Sequence, residues 1–251
     1  MNILDFLPPR AVIAHRGASV YAPENTLAAF RKAVEQGADA IELDAKLSLD
    51  GRVMVCHDQT LERTTNGSGR LASYNSTALQ MLDAGSWFSQ EFRGEIIPTL
   101  EEVLVELGQK TCWFLELTNY RSPTDPLVER VVDLVRRLHL EERVLLISFF
   151  PTNLLTARRL LPQTPTGQLA LPGIAGAVSR SKMLIYTAPL ACLPNDLDCT
   201  SNFIADQHTL GRKVFPYTIN ETYRMVQLYQ WGVDGIITND PPAAQAARGS
   251  A

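Results

Sequence analysis

Short apolar runs alternate with helix-periodic segments along the whole chain of 251 residues, and this pattern constrains the fold most. The apolar runs predict strands, and apolar residues three and four positions apart predict the helices between them. Strand–helix alternation is typical of a parallel sheet with right-handed crossovers. We expect strands at 11–14, 40–48, 51–57, 111–117, 143–148, about 165–171, 189–194, 213–219 and 234–238.

The segments between these runs predict helices. Asn25 or Thr26 can cap the first of them, and Gly37 ends it. The other helices are expected at 100–107, 127–138, 152–160, 202–210, 222–230 and after Pro242. About eight strand–helix units in this length favour an α/β fold with a single (β/α)8 TIM barrel over 1–251. An open, doubly wound sheet is the alternative fold, although no G-x-G-x-x-G follows a strand.

Composition narrows the class of partner. The net charge of −4 and the isoelectric point near 5.6 argue against nucleic acid or an anionic membrane. We find neither a signal-peptide pattern nor an apolar run of the roughly 20 residues that a membrane helix needs, and we expect no stable membrane insertion. The four cysteines lack CxxC spacing, so we interpret them as reduced and expect a cytoplasmic location. The polar stretch at about 59–99 predicts a short excursion with small helices within the one domain.

Three carboxylates stand in otherwise apolar strands. Because side chains alternate along a strand, Glu42 and Asp44 point the same way, and the same parity turns Glu116 inward. Such groups repel one another when they are buried, and a divalent cation removes that cost. Oxygen ligands favour Mg²⁺, Ca²⁺ or Mn²⁺ over Zn²⁺. One such glutamate alone would be interpreted as a salt-bridged residue, but the set of three favours a metal site.

Two histidines and an arginine follow strands. His15 and Arg16 directly follow the first strand, and His57 ends the third. In a barrel these positions lie at the carboxyl rim, where active sites occur. Two rim histidines can serve as acid and base near neutral pH, and Arg16 offers a planar fork for phosphate oxygens. For each histidine alone, a structural role is the simpler interpretation. The loop at 63–69 is compatible with an anion cradle and equally with an ordinary flexible loop.

Six runs together resemble the glycerophosphodiester phosphodiesterase family, in its compact cytosolic form. They keep the family's order and spacing over nearly the whole chain: HRGASVYAPENTLAAF, GADAIELDAKLSLDGRVMVCHDQTLERTTNGSG, IPTLEEVL, FLELT, SFFPTNLLTARRLLP and GVDGIITNDP. The resemblance implies a TIM barrel of the phospholipase C-like phosphodiesterase type. It also implies metal-dependent hydrolysis of small glycerophosphodiesters to sn-glycerol 3-phosphate and an alcohol, through a cyclic phosphate formed by the substrate's own 2-hydroxyl.

The resemblance assigns roles position by position. It implies His15 and His57 as the acid–base pair and Arg16 as the phosphate contact. It implies a divalent metal ion, Mg²⁺, Ca²⁺ or Mn²⁺, as the cofactor. The metal ligands that it implies are Glu42, Asp44 and Glu116.

Two positions depart from the family pattern and are candidate pocket residues. Thr118 stands where members usually carry a lysine, and Tyr217 replaces the usual tryptophan. Three carboxylates (−3), one divalent metal (+2), a diester (−1) and Arg16 (+1) together carry a formal charge of −1. A lysine at position 118 would have neutralised it. We therefore expect weaker phosphate binding or a different diester, and a lower KM after Thr118→Lys.

Other functions stay open on the sequence. A lysophospholipase D-like or sphingomyelinase D-like enzyme would need an apolar surface, and the sequence shows no conspicuous stretch of this kind. A barrel that binds phosphodiesters with little turnover is favoured only by Thr118. A metal-dependent aldolase or isomerase is more distant, because no Schiff-base lysine stands out in the strands. The sequence does not decide the oligomeric state, the native metal or the preferred alcohol.

Overall fold

The computed structural model describes residues 1–120, 122, 124–180 and 187–251. Its strands are β1 (Ala11–His15), β2 (Ala40–Leu47), β3 (Val53–Val55), β4 (Cys112–Leu117), β5 (Val144–Ser148), β6 (Thr166–Ala170), β7 (Ala191–Pro194), β8 (Lys213–Val214) and β9 (Gly235–Thr238). Its α-helices are α1 (Ile3–Phe6), α2 (Leu27–Glu35), α3 (Ser76–Leu79), α4 (Leu100–Leu107), α5 (Leu127–Arg137), α6 (Pro151–Leu160), α7 (Ala177–Arg180), α8 (Ser201–Thr209), α9 (Thr222–Gln230) and α10 (Pro241–Ser250).

All strands except β3 lie parallel, in the order β8-β7-β6-β5-β4-β2-β1-β9. Hydrogen bonds also join the two ends of this order. The N–H of Asp234 donates to the Val214 carbonyl (3.2 Å), and that of Ile237 donates to the Pro216 carbonyl (3.0 Å). The eight strands therefore form a nearly closed TIM barrel, which confirms the predicted fold class. β3 pairs antiparallel with β2 and lies outside the barrel path.

The eighth barrel strand is shorter than the sequence predicts. The expected run 213–219 is regular only over Lys213–Val214, because Pro216 has no N–H to donate. Beyond Val214 the chain follows β7 through separate bonds, from the Phe215 N–H to the Cys192 carbonyl (3.0 Å) and from the Tyr217 N–H to the Pro194 carbonyl (3.1 Å). The short helix α7 after β6 is also absent from the sequence prediction.

The core has an inner and an outer part, as strand alternation requires. Inside the barrel, Ile13, Phe114 and Leu145 pack in one apolar cluster that also contains Ile3 from α1. The residues of opposite parity pack against the surrounding helices in two further clusters. Phe114 faces inward, and Glu42 faces inward with it because the two residues are partners in register. Glu116 lies two residues further along β4 and therefore also faces inward.

The stretch 59–99 packs on β3 and fixes the segment after it, where His57 lies two residues beyond the end of the strand. As expected, it contains a short helix, α3, and two single turns of 3₁₀-helix. A small cluster buries Cys56 under this segment, so the adjacent His57 is turned toward the rim. In the loop at 63–69, the N–H groups of Gly67 and Gly69 donate to Thr65 Oγ1 (2.9 Å) and Glu62 Oε1 (2.7 Å). These internal bonds favour a structural role for the loop over an anion cradle.

No helix among the described residues is long and apolar enough to span a bilayer.

Candidate active site

Three carboxylates meet inside the carboxyl end of the barrel. Glu42 and Asp44 project from β2 and Glu116 from β4, and the parallel register places Asp44 beside Glu116. One oxygen from each carboxylate lies within 4.8 Å of the others. Glu42 and Asp44 are only 2% and 1% exposed, so water screens their mutual repulsion little. The structure thus brings together the three residues that the sequence predicts as metal ligands.

The electrostatics of this cluster fit a divalent cation. Burial and the charges of Asp44 and Glu116 raise the pKa of Glu42 well above its usual value. Burial, and then the charge of Asp44, raise the pKa of Glu116 to about 8. Asp44 Oδ1 is buried and accepts no hydrogen bond from the described residues. A hard cation would bind this free oxygen and remove the repulsion, and carboxylate oxygens suit Mg²⁺, Ca²⁺ or Mn²⁺.

Arg16 lies against the cluster. Its backbone N–H donates to Glu42 Oε2 (3.0 Å), and its Nε lies 3.2 Å from Asp44 Oδ2. Burial alone would raise the pKa of Asp44, but the nearby positive charges, Arg16 first among them, and the hydrogen bond from Asn25 together outweigh burial and lower the pKa. The loop can turn here because Gly17 adopts φ +84°, and a Cβ at Gly17 would lie 2.7 Å from the Ala29 backbone.

His15 is held from the last strand. Its Nδ1 lies 2.7 Å from Oδ1 of Asn239, the residue that directly follows β9. An amide oxygen only accepts, so Nδ1 carries the proton and Nε2 offers a lone pair. Nε2 lies 3.9 Å from Glu42 Oε2. Burial first, and then the charge of Arg16, lower the pKa of His15 to about 4.

His57 is oriented by its neighbour. Its Nδ1 lies 2.6 Å from Asp58 Oδ1. Arg63 donates to Asp58 Oδ2 (2.7 Å) and to Glu24 Oε2 (2.8 Å), and Glu24 also accepts from Arg16 Nη1 (2.8 Å). A continuous series of charged contacts therefore joins the rim segment that carries Arg16 to the one that carries His57.

Lys46, which the motifs of the sequence do not single out, is a buried cation at this site. It follows Asp44 at the next inward position of β2, and its Nζ donates to Thr118 Oγ1 (2.6 Å). Burial lowers its pKa, and the charge of Asp44 opposes that shift. The formal count of −1 omitted Lys46, and its inclusion gives zero for the site with one divalent metal and one diester. The expectation of weaker phosphate binding therefore loses its basis.

Aromatic side chains form one wall. The ring of Tyr217 packs edge-on against Phe149 at 6.1 Å, and its hydroxyl donates to the Ala170 carbonyl (2.8 Å). Tyr120 packs against the same Phe149 and donates from its hydroxyl to Glu116 Oε1. Tyr217 is thus linked to Glu116 through Phe149 and Tyr120, and its place in a substrate pocket stays a prediction, as does that of Thr118.

Strand parity alone could have found one of the missed residues. Lys46 is two positions after Asp44, so the alternation that places the carboxylates inward applies to it equally. Asn25 was a candidate helix cap, but Thr26 caps α2, and Asn25 Nδ2 instead donates to Asp44 Oδ2 (2.8 Å). Tyr120 and Asn239 lie in loops, where no periodic signal marks them.

The chain is similar to known phosphodiesterases in both sequence and fold. The family model described as "Glycerophosphoryl diester phosphodiesterase family" matches residues 15–243. A glycerophosphodiester phosphodiesterase of Caldanaerobacter subterraneus is 36% identical over 233 residues, which cover 92% of this chain and 94% of the relative. A solved phosphodiesterase of Oleispira antarctica, in complex with the product sn-glycerol-3-phosphate, superposes with a TM-score of 0.90 at 31% identity, over 98% of this chain and 99% of the other.

A second solved structure, a glycerophosphodiester phosphodiesterase of Agrobacterium tumefaciens, gives a TM-score of 0.78 at 30% identity, over 94% of this chain and 99% of the other. The barrel and its acidic site define a phosphoric diester hydrolase. The chain belongs to the glycerophosphoryl diester phosphodiesterase family.

Proposed function

We propose that this protein hydrolyses glycerophosphodiesters to sn-glycerol 3-phosphate and an alcohol, with a divalent metal as cofactor. The observation that carries the proposal is the cluster of Glu42, Asp44 and Glu116, the first two of them buried, with its free oxygen on Asp44, at the barrel end that also holds His15 and His57. The bound product in the Oleispira structure supports the same substrate class. The proposed partner is a small-molecule glycerophosphodiester and not nucleic acid, since the net charge is −4.

The roles proposed for the two histidines are those that the family resemblance implies. One histidine takes the proton of the substrate's glycerol 2-hydroxyl as its oxygen attacks phosphorus, and the other protonates the departing alkoxide. The bond from phosphorus to the alcohol oxygen breaks, and a cyclic phosphate forms. The same two groups in exchanged roles then add water and open the ring. Attack from within the substrate avoids much of the entropy cost of a bimolecular step.

Arg16 and the metal serve the phosphate in this proposal. Arg16 donates one hydrogen bond from Nη1 to Glu24, so further N–H groups of its guanidinium are available to a phosphoryl oxygen. Glu42, Asp44 and Glu116 would hold the cation, which supplies positive charge to the phosphoryl oxygens when it is bound. Tyr217 and Thr118 would shape the pocket beside them.

Metal depletion and replacement tests this function. The purified protein is stripped with EDTA, and Mg²⁺, Ca²⁺ or Mn²⁺ is added back separately. Release of glycerol 3-phosphate is then measured from glycerophosphocholine, glycerophosphoethanolamine and glycerophosphoglycerol. We expect no turnover after EDTA and recovery with at least one cation. Full activity in EDTA, or no release from any of the three diesters with any cation, would refute the proposal.

One surface feature favours a second candidate, a lysophospholipase D-like activity. Exposed apolar side chains stand on the two segments that follow β6 and β7, with Ile174 95% and Leu197 84% exposed. The two segments are joined by a bond from the Gly173 N–H to Asp198 Oδ2 (2.8 Å). This apolar rim, which the sequence did not reveal, could accept the acyl chain of a lysolipid. The test measures choline release from lysophosphatidylcholine by the wild type and by Ile174→Ser. A lower release by Ile174→Ser would support this activity, and no release by the wild type would exclude it.

A cytoplasmic location is part of the proposal. All four cysteines are free and buried, which suits a reducing compartment. Fractionation of cells that produce the native protein tests this, and recovery outside the cytoplasm would contradict it.

A further inference from the structure

The ammonium of Lys46 is enclosed beside the carboxylate cluster. Lys46 is only 6% exposed, and it continues the inward face of β2 that carries Glu42 and Asp44. The acidic residues whose charges act on this ammonium are Asp44, Glu116 and Asp58. A buried cation needs a counter-charge or hydrogen-bond acceptors, and its position here is therefore informative.

Thr118 fixes that ammonium from the neighbouring strand. β2 and β4 are paired up to Ala45 and Leu117, so Lys46 and Thr118 occupy the next adjacent positions on the inner face. Thr118 Oγ1 donates to the Ala45 carbonyl (2.6 Å), and its lone pair accepts from Lys46 Nζ (2.6 Å). Within the described residues this is the one hydrogen bond of Lys46 Nζ, although an ammonium has three N–H donors. Two donors thus lack a protein acceptor in that part of the chain.

The charges of the site leave a place for one more anion. Glu42, Asp44 and Glu116 contribute three negative charges, and Arg16 and Lys46 contribute two positive charges. One divalent cation brings this sum from −1 to +1, which a phosphodiester with its single negative charge neutralises. Without Lys46, the same diester would enter a site with no net positive charge.

We propose that Lys46 binds a non-bridging oxygen of the substrate phosphate and that Thr118 positions its ammonium. The lysine that the family resemblance places on β4, at the position of Thr118, is thus replaced by one from β2 at the paired position. Because the two side chains are neighbours across the strands, either backbone position can deliver an ammonium to this part of the barrel. This inference rests on the proposed function, since it assigns a further substrate-binding residue to the same site.

A charge-swap cycle tests the inference. The four proteins are the wild type, Lys46→Thr, Thr118→Lys, and the double variant that carries both changes. Loss of a charged hydrogen bond to phosphate predicts that Lys46→Thr raises KM and weakens sn-glycerol 3-phosphate binding by about 10- to 100-fold. The double variant should recover most of this loss. Thr118→Lys alone should gain nothing, because it places two ammonium groups side by side.

Two measurements separate substrate binding from a structural role. Binding of sn-glycerol 3-phosphate and of Mg²⁺ is measured by calorimetry, and thermal unfolding is measured for each variant. We expect Lys46→Thr to bind Mg²⁺ at least as well as the wild type, because a repelling cation has been removed, while its affinity for glycerol phosphate falls. The exposed Lys110, changed to Gln, is the matched control for loss of one positive charge and should behave as the wild type.

The outcomes distinguish failure of the proposed function from failure of the inference about Lys46. If the wild type releases no glycerol 3-phosphate, the proposed function fails. If the wild type is active and Lys46→Thr keeps the same KM and the same product affinity, the inference about Lys46 fails while the function stands. If Lys46→Thr is poorly folded, Lys46→Met provides a second test with a side chain of similar length, and an unchanged KM in it would equally overturn the inference.

Discussion

Asn239 Oδ1 lies 2.7 Å from His15 Nδ1, so a residue after the last strand sets the tautomer of a histidine at the end of the first. Asn239 is itself held, because its backbone N–H donates to Asn220 Oδ1 (3.0 Å). The parallel pairing of β1 with β9, the first and last strands of the chain, brings these two segments together. The contact therefore couples completion of the fold to the orientation of a proposed catalytic group.

Loss of this contact should lower the turnover number more than the affinity. In Asn239→Ala, His15 can rotate and exchange tautomers, and we expect kcat to fall by about 10- to 100-fold, as for other partners that orient an imidazole. Steady-state kinetics and thermal unfolding check this. The exposed Asn202, changed to Ala, is the control. An unchanged kcat in Asn239→Ala would remove the positioning role.

The pair of His57 and Asp58 gives a second prediction. His57→Ala should lower kcat by about 10²- to 10⁴-fold, the range for loss of a general acid or base. Asp58→Asn should have a smaller effect, since the ring stays in place but loses the carboxylate that accepts from Nδ1.

A matched histidine–carboxylate pair serves as the control. His208 Nε2 lies 2.8 Å from Asp234 Oδ2, near the start of β9 and away from the rim. His208→Ala should keep wild-type kinetics in the same assay. Equal losses in His208→Ala and His57→Ala would mean that the effect is structural.

Replacement of one buried carboxylate should affect metal binding and stability in opposite directions. Glu42→Gln removes a charge that Asp44 and Glu116 repel, so the metal-free variant should unfold at the same temperature as the wild type or a higher one. Loss of a residue that only hydrogen-bonds a metal ligand lowers metal affinity by about 10- to 100-fold. Because Glu42 is a proposed ligand itself, the affinity of Glu42→Gln for Mg²⁺ or Ca²⁺ should fall by more than this.

Calorimetric metal titration and thermal unfolding with and without metal check this prediction. The exposed Glu129, changed to Gln, is the control. A metal-free Glu42→Gln variant that is markedly less stable than the wild type would argue for a structural carboxylate and against a metal ligand.

Asp50 gives a pH-dependent prediction away from the site. Its carboxylate accepts hydrogen bonds from Ser48 Oγ (2.6 Å), Ser76 N (2.8 Å) and Ser76 Oγ (2.8 Å), and these bonds lower its pKa to about 2. A folded-state pKa below the unfolded value means that the stabilisation is complete at neutral pH. It is lost as the pH falls from the unfolded value, near 3.8, through about 2.

The difference in unfolding temperature between the wild type and Asp50→Ala should therefore be largest near pH 7 and should shrink below pH 4. Scanning calorimetry over pH 3 to 7 measures it. Asp206→Asn on the exposed face of α8 is the control. A difference that is constant with pH would show that the ionised form of Asp50 contributes nothing.

Most of the barrel could be predicted, and the exceptions have local causes. The bounds of the predicted helices and of all but one strand lie within two residues of the observed ones. The exception is β8, where Pro216 interrupts the regular pattern. The apolar residues of 213–219 suggested a full strand because periodicity records burial and does not record the missing N–H group.

The site was predictable where it depends on a strand. The period of two along β2 and β4 requires Glu42, Asp44 and Glu116 to face one side, whatever the loops do. The same rule would have included Lys46. Glu24, Tyr120 and Asn239 lie in irregular segments whose conformations depend on contacts with distant parts of the chain, so no local pattern identified them.

The sequence by itself determined the order of strands and helices, the inward face of each acidic strand and the positions of the histidines at strand ends, because these properties depend on the alternation of neighbouring side chains. Only the tertiary structure decided that Lys46 meets Thr118 and that His15 meets Asn239. Those contacts depend on which strands pair and on the register between them, and both are set by packing between residues far apart in the chain.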